Sequence, residues 1–100
     1  MKRKFKYSHL FKKKLDKLKG QELLNILSKV EEIISIDDVN IYKNLKHNLK
    51  MFKRVHVNNS WVILFFDEKN QIHFVDYLSH DNAYKSDKKT LKKYKNLRFD

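Results

Sequence analysis

The segment from His73 to Lys85, HFVDYLSHDNAYK, begins like a buried strand and then runs into four side chains that can exchange protons or form hydrogen bonds. They are His80, Asp81, Asn82 and Tyr84. Another histidine, His56, follows Arg54 in the strand-like run FKRVHV. Histidine has an ordinary pKa near 6.5, so both of its forms are available around neutral pH. Two histidines brought together would therefore suit acid–base chemistry.

Structural and metal-binding roles are the alternatives for these histidines. Either imidazole could simply stabilise the fold, His80 for example by capping a strand end. Together with Asp76 or Asp81 the two histidines could instead hold a metal ion, but the two short ligand spacings typical of a zinc site are missing. We therefore expect no metal site.

Length and composition restrict the chain to one small, strongly basic domain. Of 100 residues, 41% are hydrophobic, enough for a single core, so we expect one domain over residues 1–100 with a basic tail at residues 85–100. The formal net charge of +11 favours a polyanionic partner, nucleic acid rather than membrane. No stretch has the apolar length of a membrane span, and the N-terminus MKRKFKYSHLFKKK lacks the features of a signal peptide. These features predict a cytoplasmic protein, and the absence of cysteine excludes disulfides and thiol nucleophiles.

Positive charge is concentrated in three segments. Residues 1–19 carry nine Lys or Arg, residues 41–57 carry five and residues 82–100 carry seven, whereas residues 20–40 carry five acids and one Lys. A single Lys-rich run is most simply a solvated surface. Three such runs separated by an acidic one are harder to explain in this way, so we expect a basic binding face.

Hydrophobic periodicity predicts an α+β fold. The predicted elements are a strand at Lys2–Tyr7, a helix from Ser8 to a C-cap at Gly20, a helix over residues 23–34, a loop near Asp37–Asn40, strands at Phe52–Val57, Trp61–Asp67 and Ile72–Leu78, and a short basic helix from Asp87. The first two helices form a hairpin on one face of the sheet, and the last three strands form an antiparallel meander. In the final helix, Leu91 and Tyr94 are expected to dock on the domain.

The alternation of the strand at Phe52–Val57 predicts which of its residues face the helices. Side chains in a strand point alternately to the two faces, so Val55 and Val57 would meet the helices while Arg54 and His56 would lie on the open face. His80 and Tyr84 follow the last strand, in a segment that can fold back over that face. The sequence thus predicts that the two histidines meet on one open, basic face.

The order of elements and two motifs resemble the RelE/YafQ/ParE superfamily of bacterial and archaeal toxins, over nearly the whole chain. One motif is Arg54 and His56 in FKRVHVNNSWVILFF, and the other is His80 to Tyr84 in IHFVDYLSHDNAYK, which is similar to the YafQ-like ending. The resemblance implies a RelE-like ribonuclease fold and, for the RelE and YafQ kind, cleavage of mRNA in the ribosomal A site without a metal or cofactor. It also implies an acidic antitoxin that wraps the toxin and silences it.

The same resemblance implies roles for particular residues. His56 and His80 would exchange protons with the 2′-hydroxyl and the leaving 5′-oxygen of RNA, in an order that the sequence does not assign. Arg54 would offset charge at the phosphate, and Tyr84 would stack on a base or orient it. His47 lies near a position where YafQ-like proteins have a functional histidine. We expect RNA contacts from residues of the second and third basic segments, namely Lys46, His47, Lys50, Lys53, Lys85, Lys88, Lys89 and Lys92.

Two departures from the family pattern keep other functions open. Val62 stands where RelE has an arginine, and Ser60 stands where YafQ-like proteins often carry an acid, so catalysis could be weakened. ParE relatives share the fold but inhibit DNA gyrase, so a non-catalytic gyrase inhibitor is one alternative. An RNA-binding module without activity is the other.

Overall fold

The computed structural model describes residues 2–45, 50–83 and 88–99, the last range with side chains from Lys92 onward. Its elements, in chain order, are β1 Lys4–Tyr7, α1 His9–Asp16, α2 Gly20–Ser35, a 3-10 turn at Val39–Ile41, β2 Lys43–Asn44, β3 Lys53–Val57, β4 Trp61–Glu68, β5 Gln71–Ser79, α3 His80–Ala83 and α4 Lys88–Lys95. The α+β class is confirmed. The layout differs in detail, because the predicted loop near Asp37–Asn40 contains part of the 3-10 turn and an additional short strand, β2, follows it.

One five-stranded mixed sheet organises the domain. Its strand order is β1-β5-β4-β3-β2. The neighbours β2, β3, β4 and β5 pair antiparallel, which confirms the meander, whereas β1 lies parallel to β5 at the opposite edge. A parallel pair needs a long crossover, and the hairpin of α1 and α2 begins that crossover directly after β1.

The helices α1 and α2 cover one face of the sheet, as predicted, and bury the first core there. Ile26, Val30, Ile33 and Ile34 recur at the spacing of one helix face and are at most 4% exposed. They pack against sheet residues that include Val57, Ile63, Phe65 and Phe74. The helical periodicity of the sequence also predicts Leu24 and Leu27 on the buried face, but both lie at the surface, with exposed fractions of 58% and 41%. The buried face of α2 is therefore centred on its isoleucines.

The boundary between α1 and α2 also differs from the prediction. Ser8 caps α1 as expected, since its Oγ accepts a hydrogen bond from the backbone N–H of Phe11 at 2.9 Å. The helix then ends at Asp16, and Gly20 is the first residue of α2 rather than the C-cap of α1. Gly20 has a φ of +69°, a conformation that glycine adopts without steric cost. The glycine therefore allows the chain to turn between the two helices at the point where α2 begins.

The other face of the sheet is not open, because α4 and the residues after it pack across part of it. A second core forms there from Leu45, Phe52, Val62, Leu64, Val75, Ala83 and Tyr94. Tyr94 is only 6% exposed, which confirms that this residue docks on the domain. The predicted helix start at Asp87 and the side chain of Leu91 lie outside the described part of the chain. This second core borders the surface on which Arg54 and His56 were expected.

Asp76 connects three elements through its buried carboxylate, which is 2% exposed. Its Oδ1 accepts from Nζ of Lys14 at 2.6 Å and from the backbone N–H of Tyr77 at 2.8 Å. Its Oδ2 accepts from the hydroxyl of Tyr94 at 2.7 Å. Burial and the nearby carboxylate of Asp76 raise the pKa of Tyr94, so its hydroxyl stays protonated and remains a donor. The carboxylate thereby fixes α1 and α4 to β5.

In the described ranges, none of the helices combines the length and the apolar character that crossing a bilayer requires.

A paired substitution tests the anchoring of α4. Tyr94→Phe removes the donor to a buried carboxylate and should lower the free energy of unfolding by about 2 kcal/mol. Tyr42→Phe is the matched control, because the hydroxyl of Tyr42 donates to Glu32 at 2.6 Å at the surface, and it should cost less than about 1 kcal/mol. Urea unfolding followed by circular dichroism measures both changes. Equal losses would mean that the bond to Asp76 does not anchor the helix.

Candidate active site

The strand β3 places Arg54 and His56 on the face opposite α1 and α2. Val55 and Val57 pack into the first core, and Phe52 packs into the second, so the side chains of β3 alternate between the two faces as its sequence predicts. Arg54 is partly exposed and His56 is exposed. Both residues therefore lie beside the second core, where that core leaves the sheet surface uncovered.

His80 reaches the same face because β5 contains a bulge. Leu64 lies opposite Asp76 and Phe65 lies opposite Phe74, so Val75 is an extra residue in β5. A bulge of this kind reverses the alternation that follows it: Ile72 and Phe74 pack in the first core before it, whereas Tyr77 packs there after it and Leu78 turns to the second. Without the extra residue, the alternation set by Ile72 and Phe74 would continue unchanged. Every second side chain as far as His80 would then point to the face that α1 and α2 cover.

A hydrogen bond fixes the start of α3, where His80 lies. The backbone N–H of His80 donates to the carbonyl oxygen of Ser60 at 2.6 Å. Ser60 belongs to the turn between β3 and β4, in which Asn58 and Asn59 have φ values of 52° and 62°. Asparagine tolerates this left-handed conformation better than most residues. The turn thus links the end of β5 to the strand that carries His56.

The imidazole rings of His56 and His80 are stacked. Their centroids are 5.2 Å apart and their planes differ by 27°. The side chain of His80 is 45% exposed, and its Nδ1 lies 3.9 Å from Oδ1 of the exposed Asp81. The two proton-transfer groups predicted from the sequence are therefore adjacent and reachable from solvent.

The electrostatics of this pair favour a neutral His56. Burial lowers the pKa of His56, and the positive charges of His80 and Arg54 lower it further. Two stacked imidazolium rings would repel each other at this distance, so the pair holds one proton more readily than two. A neutral imidazole has a nitrogen lone pair that can accept a proton.

The residues predicted to contact RNA differ in their exposure to solvent. Lys53 is 8% exposed, and its Nζ donates to Oδ1 of Asn44 at 3.1 Å and to the carbonyl oxygen of Tyr42 at 3.4 Å. It therefore stabilises the β2–β3 edge, and its contact with RNA stays a prediction. Lys50 and Lys92 are exposed. The remaining predicted side chains, those of Lys46, His47, Tyr84, Lys85, Lys88 and Lys89, lie outside the described residues.

Sequence reasoning missed the residues that position the histidines. Asp76 was considered only as a metal ligand, whereas its carboxylate accepts the three hydrogen bonds described above. Asn58 was not singled out at all, yet its Nδ2 donates to the carbonyl oxygen of Glu22 at 3.0 Å and joins the β3–β4 turn to α2. A buried acid within an apolar strand was the available signal for Asp76. Within the described residues, His, Asp and Glu side chains do not assemble into a group of three that could hold a metal ion.

Two relatives connect the chain to known proteins, although no protein-family model matches it. The chain is 47% identical over 77 residues to a Methanocaldococcus jannaschii protein named "Putative toxin RelE4", a match that covers 75% of this chain and 80% of the relative. It is also 36% identical over 73 residues to an uncharacterized protein of Methanosarcina mazei, covering 71% of this chain and 83% of that protein. The first of these matches confirms the family resemblance noted in the sequence: the chain belongs to the RelE family of toxins.

Proposed function

We propose that the protein is the toxin of a toxin–antitoxin system and a metal-independent endoribonuclease that cleaves mRNA at the ribosome. The observation that carries this proposal is the stacked pair of His56 and His80, 5.2 Å apart and on the same face as Arg54. The printed name of the M. jannaschii relative supports the toxin assignment. The net charge of +11 supports a polyanionic substrate.

The environment of His56 assigns the roles of the two histidines in this proposal. His56 is the general base, because its lowered pKa keeps the imidazole neutral and able to accept the proton of the 2′-hydroxyl. His80 is the general acid, because it is the other imidazole of the stacked pair and the reaction needs a second proton-transfer group beside the same phosphate. The 2′-oxygen attacks the phosphorus and forms a 2′,3′-cyclic phosphate, while the leaving 5′-oxygen takes the proton from His80.

Arg54 supplies the positive charge that this reaction needs. The phosphorane-like transition state carries more negative charge on its oxygens than the substrate does, and a guanidinium can donate two hydrogen bonds to them. Arg54 is two residues from His56 on β3, so both side chains lie on one face. The same charge also contributes to the lowered pKa of His56.

The antitoxin is the second partner in this proposal. A family toxin requires a silencing partner, and the excess of Lys and Arg favours an acidic one. An acidic segment laid across the surface of Arg54 and His56 would exclude RNA from the histidine pair. The partner thus inhibits by occupying the substrate face.

A double substitution tests the histidine pair. His56→Ala with His80→Ala should lower the rate of mRNA cleavage by at least about 100-fold, since each proton transfer contributes that much or more. His9→Ala, which removes an exposed histidine of α1, should leave the rate unchanged. Primer extension on ribosome-bound mRNA measures cleavage, and circular dichroism checks the fold of each variant.

Full cleavage by the folded double variant would refute the assigned roles. A gyrase supercoiling assay run beside it covers the ParE-like alternative. Gyrase inhibition by the wild-type protein, unaffected by loss of both histidines and unaccompanied by mRNA cleavage, would replace the ribonuclease proposal.

A titration tests the assignment of the base. Because burial and two neighbouring charges lower the pKa of His56, its ring signal in NMR should titrate below the ordinary value of about 6.5. His80→Asn removes one of the neighbouring charges, so the pKa of His56 should rise, but it should stay below the ordinary value because burial is the larger cause. A pKa that is unchanged in this variant would show that the rings do not interact electrostatically.

Charge neutralisation tests the role of the basic C-terminal helix. Truncation would expose the second core, since Tyr94 is buried, so point substitutions are the appropriate change. Lys92→Gln with Lys93→Gln should make the log–log dependence of RNA affinity on salt shallower by about 1.4, the value for two contacts to single-stranded phosphate. Lys29→Gln with Lys69→Gln removes the same charge from α2 and the β4–β5 turn and should change the slope less. Equal slopes for the two variants would mean that the helix contributes only net charge.

A further inference from the structure

The second face of the sheet contains an apolar cavity of about 260 Å³ at the end of β3 opposite to His56. It lies between the sheet and the C-terminal part of α4 with the residues that follow it. Aromatic rings form much of its wall; the described lining residues are Met51, Phe52, Phe66, Tyr94, Lys95, Leu97 and Phe99. Two of these lining residues, Met51 and Lys95, are exposed to solvent.

The cavity lies in line with the histidine pair. Phe52 directly precedes β3 and lies on the same side as Arg54 and His56 of that strand, so Arg54 separates the cavity from His56. With a rise of about 3.3 Å per residue, Phe52 and His56 are about 13 Å apart along the strand. A polynucleotide that runs along β3 with its scissile phosphate at His56 would therefore pass Arg54 and bring a neighbouring nucleotide to the cavity.

The walls of the cavity are held in place before any ligand binds. Phe66 is stacked on His73, with centroids 4.6 Å apart and planes that differ by 4°. The rings of Phe52 and Phe99 both meet Phe66 at steep angles, with centroids 5.9 Å away in each case. Tyr94 meets Phe52 edge-on and is anchored to Asp76. A flat ligand entering this cavity would order few additional side chains, which lowers the entropic cost of binding.

We propose that this cavity binds one unpaired nucleobase of the RNA, at a fixed distance in sequence from the cleaved bond. This inference rests on the proposed function and specifies how its substrate is held. Aromatic walls and an exposed lysine among the lining residues are the combination that proteins use for single-stranded nucleic acid, since rings stack on bases and cations hold the backbone phosphates. The continuity with Arg54 and the net charge of +11 favour RNA over an apolar protein segment as the occupant.

The lining also predicts what kind of selectivity the cavity has. Among the described lining side chains, the hydroxyl of Tyr94 already donates to Asp76, and the other rings carry no polar atoms. Recognition there depends on stacking rather than on hydrogen bonds to base edges. The cavity should accept all four bases and prefer purines, which offer the larger stacking surface.

A scan of abasic RNAs tests the proposal with the whole protein. Oligonucleotides with a 2′-deoxy sugar at the cleaved position cannot be cut, and each one lacks a single base at a different position. Fluorescence anisotropy should show about tenfold weaker binding when one particular base is missing and little change elsewhere. Phe99→Leu should abolish this position dependence by removing a ring, and Phe5→Leu, at a partly exposed phenylalanine of β1, is the matched control that should retain it.

A second variant blocks the cavity in a different way, in case Phe99→Leu disturbs the fold. Met51→Trp fills the mouth of the cavity from an exposed position and should abolish the same position dependence. Equal RNA affinity at every abasic position would overturn the proposal, and so would a position dependence that both variants retain. A Met51→Trp variant that loses antitoxin affinity while binding RNA normally would also overturn it. The scan needs no cleavage, so a wild-type protein that shows the abasic effect but cuts no RNA would contradict the proposed function and leave the cavity assignment standing.

Discussion

The buried carboxylate of Asp76 is the constraint on which the rest of the structure depends. An ionised carboxylate can be removed from water only if hydrogen bonds replace its hydration, and here Lys14, Tyr94 and the backbone of Tyr77 provide them. These donors come from α1, α4 and β5, so satisfying one charge fixes the positions of three elements. Removing one donor would leave the charge partly unsatisfied, which costs more than the bond itself contributes.

The same part of β5 determines where the chemistry takes place. The extra residue Val75 precedes Asp76 and reverses the alternation of the strand, which turns the following residues so that His80 stacks on His56. The reversal also leaves Asp76 on the side where Tyr94 of α4 can reach it. The bulge thus serves two purposes: it aligns the candidate catalytic pair, and it provides the anchor for the helix that borders the substrate face.

Local residue patterns predict part of this arrangement, whereas the features that depend on tertiary packing cannot be predicted from the sequence. The placement of Arg54 and His56 on one face followed from the period of two in a regular strand, and the structure agrees. The role of Lys53 could not be predicted, because its partners are Tyr42, directly before β2, and Asn44 in β2, a strand of two residues that is too short to show a period. Nor could the register shift at Val75, since a bulge depends on tertiary packing rather than on a local residue pattern. The α2 stripe was misplaced for a related reason: Leu24 and Leu27 fit a helical period as well as the isoleucines do, and only the sheet decides which side is buried.

The central claim is that two stacked histidines cleave RNA by exchanging protons with its 2′-hydroxyl and 5′-oxygen. The chemical identity of the new RNA ends tests it most directly, because attack by the 2′-oxygen leaves a distinct product. Mass spectrometry of mRNA fragments from ribosomes treated with the purified protein should detect a 2′,3′-cyclic phosphate on the upstream fragment and a 5′-hydroxyl on the downstream one. A 5′-phosphate on the downstream fragment, or mRNA that remains intact, would contradict the account.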